Sequence, residues 1–110
     1  MDAVPSREAF TERVLQLVEQ IPPGKVLAYG LIAAILSEES GLQEGGPRQV
    51  GRVMALEGGG VPWWRVVRAD GSLPPSHAID AQVHYVEEGT PMRTNGSAVD
   101  MTEALWRFEA

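Results

Sequence analysis

The first forty residues carry the clearest periodicity in the chain. Phe10, Val14, Leu17, Val18 and Ile21 recur at helical spacing, with Glu8, Glu12, Arg13, Glu19 and Gln20 between them. That pattern predicts an amphipathic helix of about four turns with one apolar stripe against a core. Ser6 is placed to cap its start, and Pro22-Pro23-Gly24 stops it. Lys25-Val26-Leu27 is a short extended piece at most. Tyr29, Leu31, Ile32, Ala33, Ala34, Ile35 and Leu36 then form a compact, mostly apolar second helix. Residues 37–46 are polar, with three glutamates and three glycines, and read as a loop.

Pro47 suits the first turn of a third helix, where its missing N–H is not needed. Val50, Val53 and Met54 face the core in this reading, with Leu56 at the edge of that face, and Arg48, Gln49 and Arg52 lie on the outer side. Gly58-Gly59-Gly60 ends the helix, and Val61-Pro62-Trp63-Trp64 makes a stiff aromatic turn. Arg65-Val66-Val67-Arg68 is a short strand closed by Asp70-Gly71. Ser76 caps a fourth helix over residues 76–88, with Ile79, Val83 and Val86 on its inner face and Gly89 as its stop. In the tail, Val99 and Met101 suit an edge strand, and Ala104, Leu105, Trp106 and Phe108 a last docking turn. No repeat or linker interrupts the chain. The fold class expected is mostly α with a small β wing, a single winged helix-turn-helix-like domain over residues 1–110.

Composition narrows the chemistry. Among 110 residues, 44% are hydrophobic and 22% charged, which fits a globular domain rather than a disordered one. No apolar run approaches the roughly 20 residues of a membrane helix, so no membrane partner is expected. Residues 1–7 show no basic-then-apolar export signal, which leads to the expectation of a cytoplasmic protein. There is no cysteine, hence no thiolate metal site and no thiol nucleophile. His77 and His84 stand seven apart without a close carboxylate pair, so no metal or other cofactor is expected. The net charge of −6 weighs against nucleic acid, but its distribution is uneven. Residues 45–69 hold four arginines against one glutamate, Glu57. On charge alone, those arginines are ordinary surface residues.

Three segments change the balance. They are Pro22-Pro23-Gly24-Lys25-Val26-Leu27-Ala28-Tyr29-Gly30 running into Ile32-Ala33, then Pro47-Arg48-Gln49-Val50-Gly51-Arg52-Val53-Met54, then Val61-Pro62-Trp63-Trp64-Arg65-Val66-Val67 followed by Asp70-Gly71. In this order and spacing they resemble the DNA-binding domain of O6-alkylguanine-DNA alkyltransferases. The resemblance is close from Phe10 to Gly71 and loose elsewhere. Active members carry Pro-Cys-His-Arg-Val, whose cysteine takes the alkyl group with help from the histidine. Here Trp63 and Trp64 stand at those two positions, and an indole cannot replace a thiolate. Tryptophan at the cysteine position marks the alkyltransferase-like proteins, which bind the lesion without repairing it. Most of those keep the histidine; this chain does not.

The resemblance implies roles residue by residue. Arg48 aligns with the arginine finger that fills the space left by a flipped nucleotide; an exposed helix-start arginine is the plain alternative. Tyr29 aligns with the tyrosine that presses on the phosphate beside the target, and is equally a half-buried core tyrosine with its hydroxyl in solvent. Gly51 allows close approach of the DNA backbone, or close helix packing. Gln49, Arg52 and Arg68 complete the expected DNA contacts. The expected lesion pocket comprises Tyr29, Trp63, Trp64, Arg65, Val66 and Ser76. Trp63 offers an aromatic wall, Trp64 is mainly structural, Arg65 tethers its loop, and Val66 is core strand. Ser76 falls where related non-repairing proteins place a basic side chain; His77 beside it is a candidate substitute, against the favoured plain reading of a surface histidine at a helix start.

The function implied is a non-enzymatic damage sensor, with no catalytic residue. It binds double-stranded DNA containing O6-alkylguanine, flips that base and marks it for nucleotide excision repair proteins, acting as a monomer. Two other readings stay open. One is an acid–base enzyme using Asp70 or Asp80 near a histidine, which no spacing supports. The other is a winged-helix protein-interaction module that has lost lesion binding.

Overall fold

The computed structural model describes residues 7–41 and 45–107. Ser6 and Phe108, expected to cap the first helix and to dock the tail, lie outside the described residues. The elements run α1 (Arg7–Gln20), β1 (Leu27–Ala28), α2 (Tyr29–Ser40), α3 (Pro47–Glu57), β2 (Val66–Val67), α4 (Pro75–Glu88) and α5 (Met101–Ala104), with 3-10 turns at Gly58–Gly60 and Trp63–Arg65. This is a mostly helical fold with a small two-stranded sheet, as the sequence leads one to expect. β1 and β2 pair in parallel, Leu27 opposite Val66 and Ala28 opposite Val67. Within the span expected as one domain, the chain makes two compact units. One is drawn from the chain up to Gln20 and Tyr29–Trp63, the other from Ile21–Ala28 and the chain from Trp64 onward.

The first unit packs α1, α2 and α3 on one another. Its core is Phe10, Val14, Leu17 and Val18 from α1, Ile32, Ala33 and Leu36 from α2, and Val50 and Val53 from α3. Each of the valine, leucine, isoleucine and phenylalanine side chains among them stabilises the fold by roughly 1.5–3 kcal/mol through burial. α2 runs a full turn beyond Leu36, into the stretch expected as loop. Glu38 and Glu39 are exposed good helix formers, and the stop comes only at Gly41. That glycine takes a left-handed φ of +73° and donates its N–H to the Ser37 carbonyl at 2.9 Å. α3 starts at Pro47, and the Gln49 side chain reaches back to accept the Gly46 N–H at 2.8 Å. Leu56 is 68% exposed rather than at the core edge, and Met54 is only half-buried. The α3 core face is narrower than its run of apolar residues suggests.

The second unit has Ile21, Val26, Leu27, Val66, Val67, Ala81, Tyr85, Ala98, Val99 and Ala104 at its centre. Here three expectations change. Met101 opens α5 instead of an edge strand, because the Asp100 carboxylate caps that turn by accepting from the Thr102 and Glu103 N–H groups. Val99 makes a single antiparallel bridge to Met92. α4 begins at Pro75, so Ser76 lies inside its first turn and does not cap it. The largest change is the rotation of α4. Ile79, Val83 and Val86 are 81%, 60% and 77% exposed, while Ala81 and Tyr85 are buried. The buried side carries aromatic and charged anchors, and these decide which face turns inward.

The Asp70-Gly71 turn is tightly specified. Asp70 Oδ1 accepts from the Ser72 N–H at 3.0 Å and the Ser72 hydroxyl at 2.6 Å. The hydroxyl bond, then the N–H bond, hold this carboxyl below its ordinary value against a smaller opposing effect of desolvation. Gly71 has a φ of +88°, and a Cβ there would meet the Val99 carbonyl oxygen at 2.2 Å, so no side chain fits.

Candidate nucleic-acid interface

In the first unit, Tyr29 opens α2 and is half-buried. Its ring lies over the backbone of α3: a Cβ placed on Gly51 would sit 4.0 Å from Tyr29 Cδ1 and Cε1. That is ordinary van der Waals contact, so packing against Tyr29 does not by itself require glycine. Arg48, Gln49 and Arg52 are all exposed on α3. Neither arginine has a hydrogen bond or ion pair with any described residue. Arg48 stands in the first helical turn, where no acidic residue offsets it and the helix macrodipole disfavours a cation. Trp63 is half-buried, and its backbone N–H donates to the Val61 carbonyl at 2.7 Å in the turn after α3. Thus Tyr29 and Gly51 come together, with Arg48 and Gln49 exposed in the first turn of the same helix and Arg52 exposed at its middle.

The second unit holds Trp64, Arg65, Val66, Arg68 and Ser76. Arg65 is 14% exposed and Glu88 12%, and they form an ion pair. Arg65 Nε donates to both Glu88 oxygens at 3.1 Å, its Nη2 donates to Glu88 Oε2, and its Nη1 donates to the Ile21 carbonyl at 2.8 Å. Glu88 also accepts from the Gly24 N–H at 3.0 Å and the Trp64 indole N–H at 2.9 Å. Desolvation alone would raise this carboxyl; the bonds from Arg65, Gly24 and Trp64 outweigh it and hold the group below its ordinary value. The Trp64 ring stacks on His84 with centroids 3.6 Å apart and planes 5° from parallel, and lies 5.4 Å from the Arg65 guanidinium carbon. The Tyr85 hydroxyl donates to the Trp64 carbonyl at 2.7 Å.

Trp64 is therefore a scaffold residue whose N–H and one ring face are engaged by α4. Arg65 ties the Trp63–Arg65 turn to the end of α4 and to the segment after α1. Val66 is 1% exposed and its side chain belongs to the core. Arg68 and Ser76 are exposed. His84, Tyr85 and Glu88 were not singled out from the sequence as site residues. Their one signal was spacing: His84 and Glu88 lie four apart on one side of α4. Among the described residues, no group of three or more His, Asp or Glu side chains is placed to hold a metal ion.

Similarity to known proteins bears on this geometry. The family described as 6-O-methylguanine DNA methyltransferase, DNA binding domain, matches residues 9–89. The DNA base-flipping protein of Escherichia coli (strain K12) is 34% identical over 106 residues, covering 92% of this chain and 77% of that protein. A DNA base-flipping protein of Vibrio parahaemolyticus is 32% identical over 68 residues, covering 60% of this chain and 63% of its own length. Among solved structures, S. pombe Atl1 in complex with damaged DNA containing O6-carboxymethylguanine superposes with a TM-score of 0.70 at 27% identity, over 91% of this chain and 96% of the other. A second S. pombe ATL complex with DNA gives 0.71 at 28% identity over the same shares.

Proposed function

Since this chain belongs to the 6-O-methylguanine DNA methyltransferase DNA-binding family, as an alkyltransferase-like member without a cysteine, we propose that it binds duplex DNA, turns an O6-alkylated guanine out of the helix and holds it with its alkyl group intact. The carrying observation is Arg48. A solvated guanidinium without a partner among the described residues, in a helix turn that disfavours it, is poised for a ligand rather than for the fold. As a planar cation it stacks into the gap left by an extruded base and bonds to the orphaned partner. Tyr29, braced over Gly51, presses on the neighbouring phosphate. Gln49, Arg52 and Arg68 contact the backbone, and Gly51 leaves room for it. Trp63 supplies the apolar surface against the flipped base, where stacking contributes about 1–3 kcal/mol. Arg65 and Trp64 keep a structural role against α4, and Ser76 takes the position at which, by the resemblance, related non-repairing proteins carry a basic side chain.

No group in this set can accept an alkyl cation as a thiolate does, so the protein is a sensor and not an enzyme. It works as a monomer in the cytoplasm, and the held lesion is passed to nucleotide excision repair. The test is a titration of wild type, Arg48→Ala and Arg68→Ala against a duplex containing O6-methylguanine, with mass measurement of protein and DNA afterwards. Arg48→Ala weakens lesion binding about tenfold or more, a loss of ~1.4 kcal/mol, and Arg68→Ala less. The methyl group stays on guanine. The reverse order of the two variants sinks the finger assignment, and a protein heavier by one methyl sinks the sensor.

A further inference from the structure

α4 is apolar on its solvent side. Ile79, Val83 and Val86 are spaced i, i+4, i+7 and form one stripe, each more than half exposed. The helix cannot roll to bury them, because its other side is committed: Ala81 and Tyr85 are in the core, Glu88 binds Arg65 and Trp64, and His84 stacks on Trp64. A contiguous exposed apolar stripe on a helix fixed this way is the mark of an interaction surface.

The stripe's border says what covers it. At about 100° per residue, Asp80 and Glu87 lie together along one flank of the stripe, and both are exposed. α4 contains no lysine or arginine. The two carboxylates repel phosphate, so the Ile79–Val83–Val86 stretch, which starts about a turn beyond Ser76, is not a DNA face, and they repel anionic lipid equally. A second copy brings the same carboxylates and the same net charge of −6. The complementary object is a helix with apolar residues at matching spacing and cations beside them.

We propose that the Ile79–Val83–Val86 face of α4 docks a cationic amphipathic helix of a partner protein. The proposal deepens the sensor reading by giving the bound lesion a surface for recruitment, and rests on it for that role alone.

The probe is a fluorescein-labelled 18-residue helical peptide with leucines at i, i+3, i+4 and i+7 bordered by lysines, titrated with the full chain. A matched peptide carries glutamates for the lysines. The lysine peptide binds at least tenfold tighter than the glutamate peptide. Val83→Asp weakens it at least tenfold while keeping lesion-duplex affinity within threefold. The double variant Asp80→Lys, Glu87→Lys reverses the preference between the two peptides. Equal binding of both peptides overturns the proposal, as does peptide binding indifferent to Val83→Asp. So does sedimentation of the wild type as a dimer that Val83→Asp dissociates, or binding to anionic lipid vesicles through the same stripe. The lesion titration is read separately: loss of lesion preference with peptide preference intact removes the sensor and leaves the docking face standing.

Discussion

Gly51 sits mid-helix in α3, where alanine would stabilise the helix by about 1 kcal/mol. The space for that methyl exists, since the nearest atoms, on the Tyr29 ring, would be 4.0 Å away. Folding alone therefore favours alanine, and the proposed DNA interface, with the duplex backbone close to α3, supplies a reason for glycine. Gly51→Ala is expected to raise the melting temperature and to weaken duplex binding in the same protein. A variant that is more stable and binds equally well would show that Gly51 has no part in the DNA face. Gly71 is the opposite case: its glycine is dictated from inside, by the Val99 carbonyl. Trp64 makes a similar point about origin. The sequence reads it as a mainly structural residue of the expected pocket but does not say what it is fastened to: its N–H belongs to Glu88 and its ring stacks on His84. Nothing local signals a partner more than twenty residues away.

Among the elements, those whose starts and stops are written in backbone chemistry were legible in advance. α1 ends before Pro22-Pro23-Gly24, α3 starts at Pro47, and α4 ends at Gly89 with a φ of +68°. α4's orientation was not legible, because two stripes share its period. Ile79, Val83 and Val86 carry the aliphatic signal, while Ala81, Tyr85 and Glu88 carry the anchoring one. Tertiary hydrogen bonds chose between them, and hydropathy cannot register those. Of the expected interface, the α3 arginines could be read from a motif, whereas the Glu88 cluster arises only when distant segments meet. That cluster sets a pH dependence. The Glu88 carboxyl is depressed on folding, so its contribution is complete above its ordinary value of 4.5 and is lost as pH falls through the lower folded value. Glu88→Gln is expected to lower stability at neutral pH by about 2 kcal/mol and to flatten the acid limb. Thermal unfolding of both proteins between pH 7 and the acid limb reads this directly; parallel pH profiles would remove Glu88 from the account.

Across the whole chain, charge is arranged against indiscriminate DNA binding. A net charge of −6 opposes approach to phosphate, and half of the eight arginines fall in residues 45–69, where a single glutamate offsets them. In the proposed mode the electrostatic contribution is thus small and falls with salt, and discrimination comes from the extruded base, which is cheapest to extrude when its pairing is already damaged. These contributions respond differently to ionic strength: backbone contacts weaken as salt rises, while stacking on an indole barely changes. The most direct test is an equilibrium titration of the wild-type chain with two duplexes, identical but for one O6-methylguanine, at low and at near-physiological salt. The proposed sensor is expected to bind the lesion duplex more tightly at both, with the ratio preserved as both affinities fall. Equal affinities for the two duplexes, or no binding to either at low salt, would contradict it.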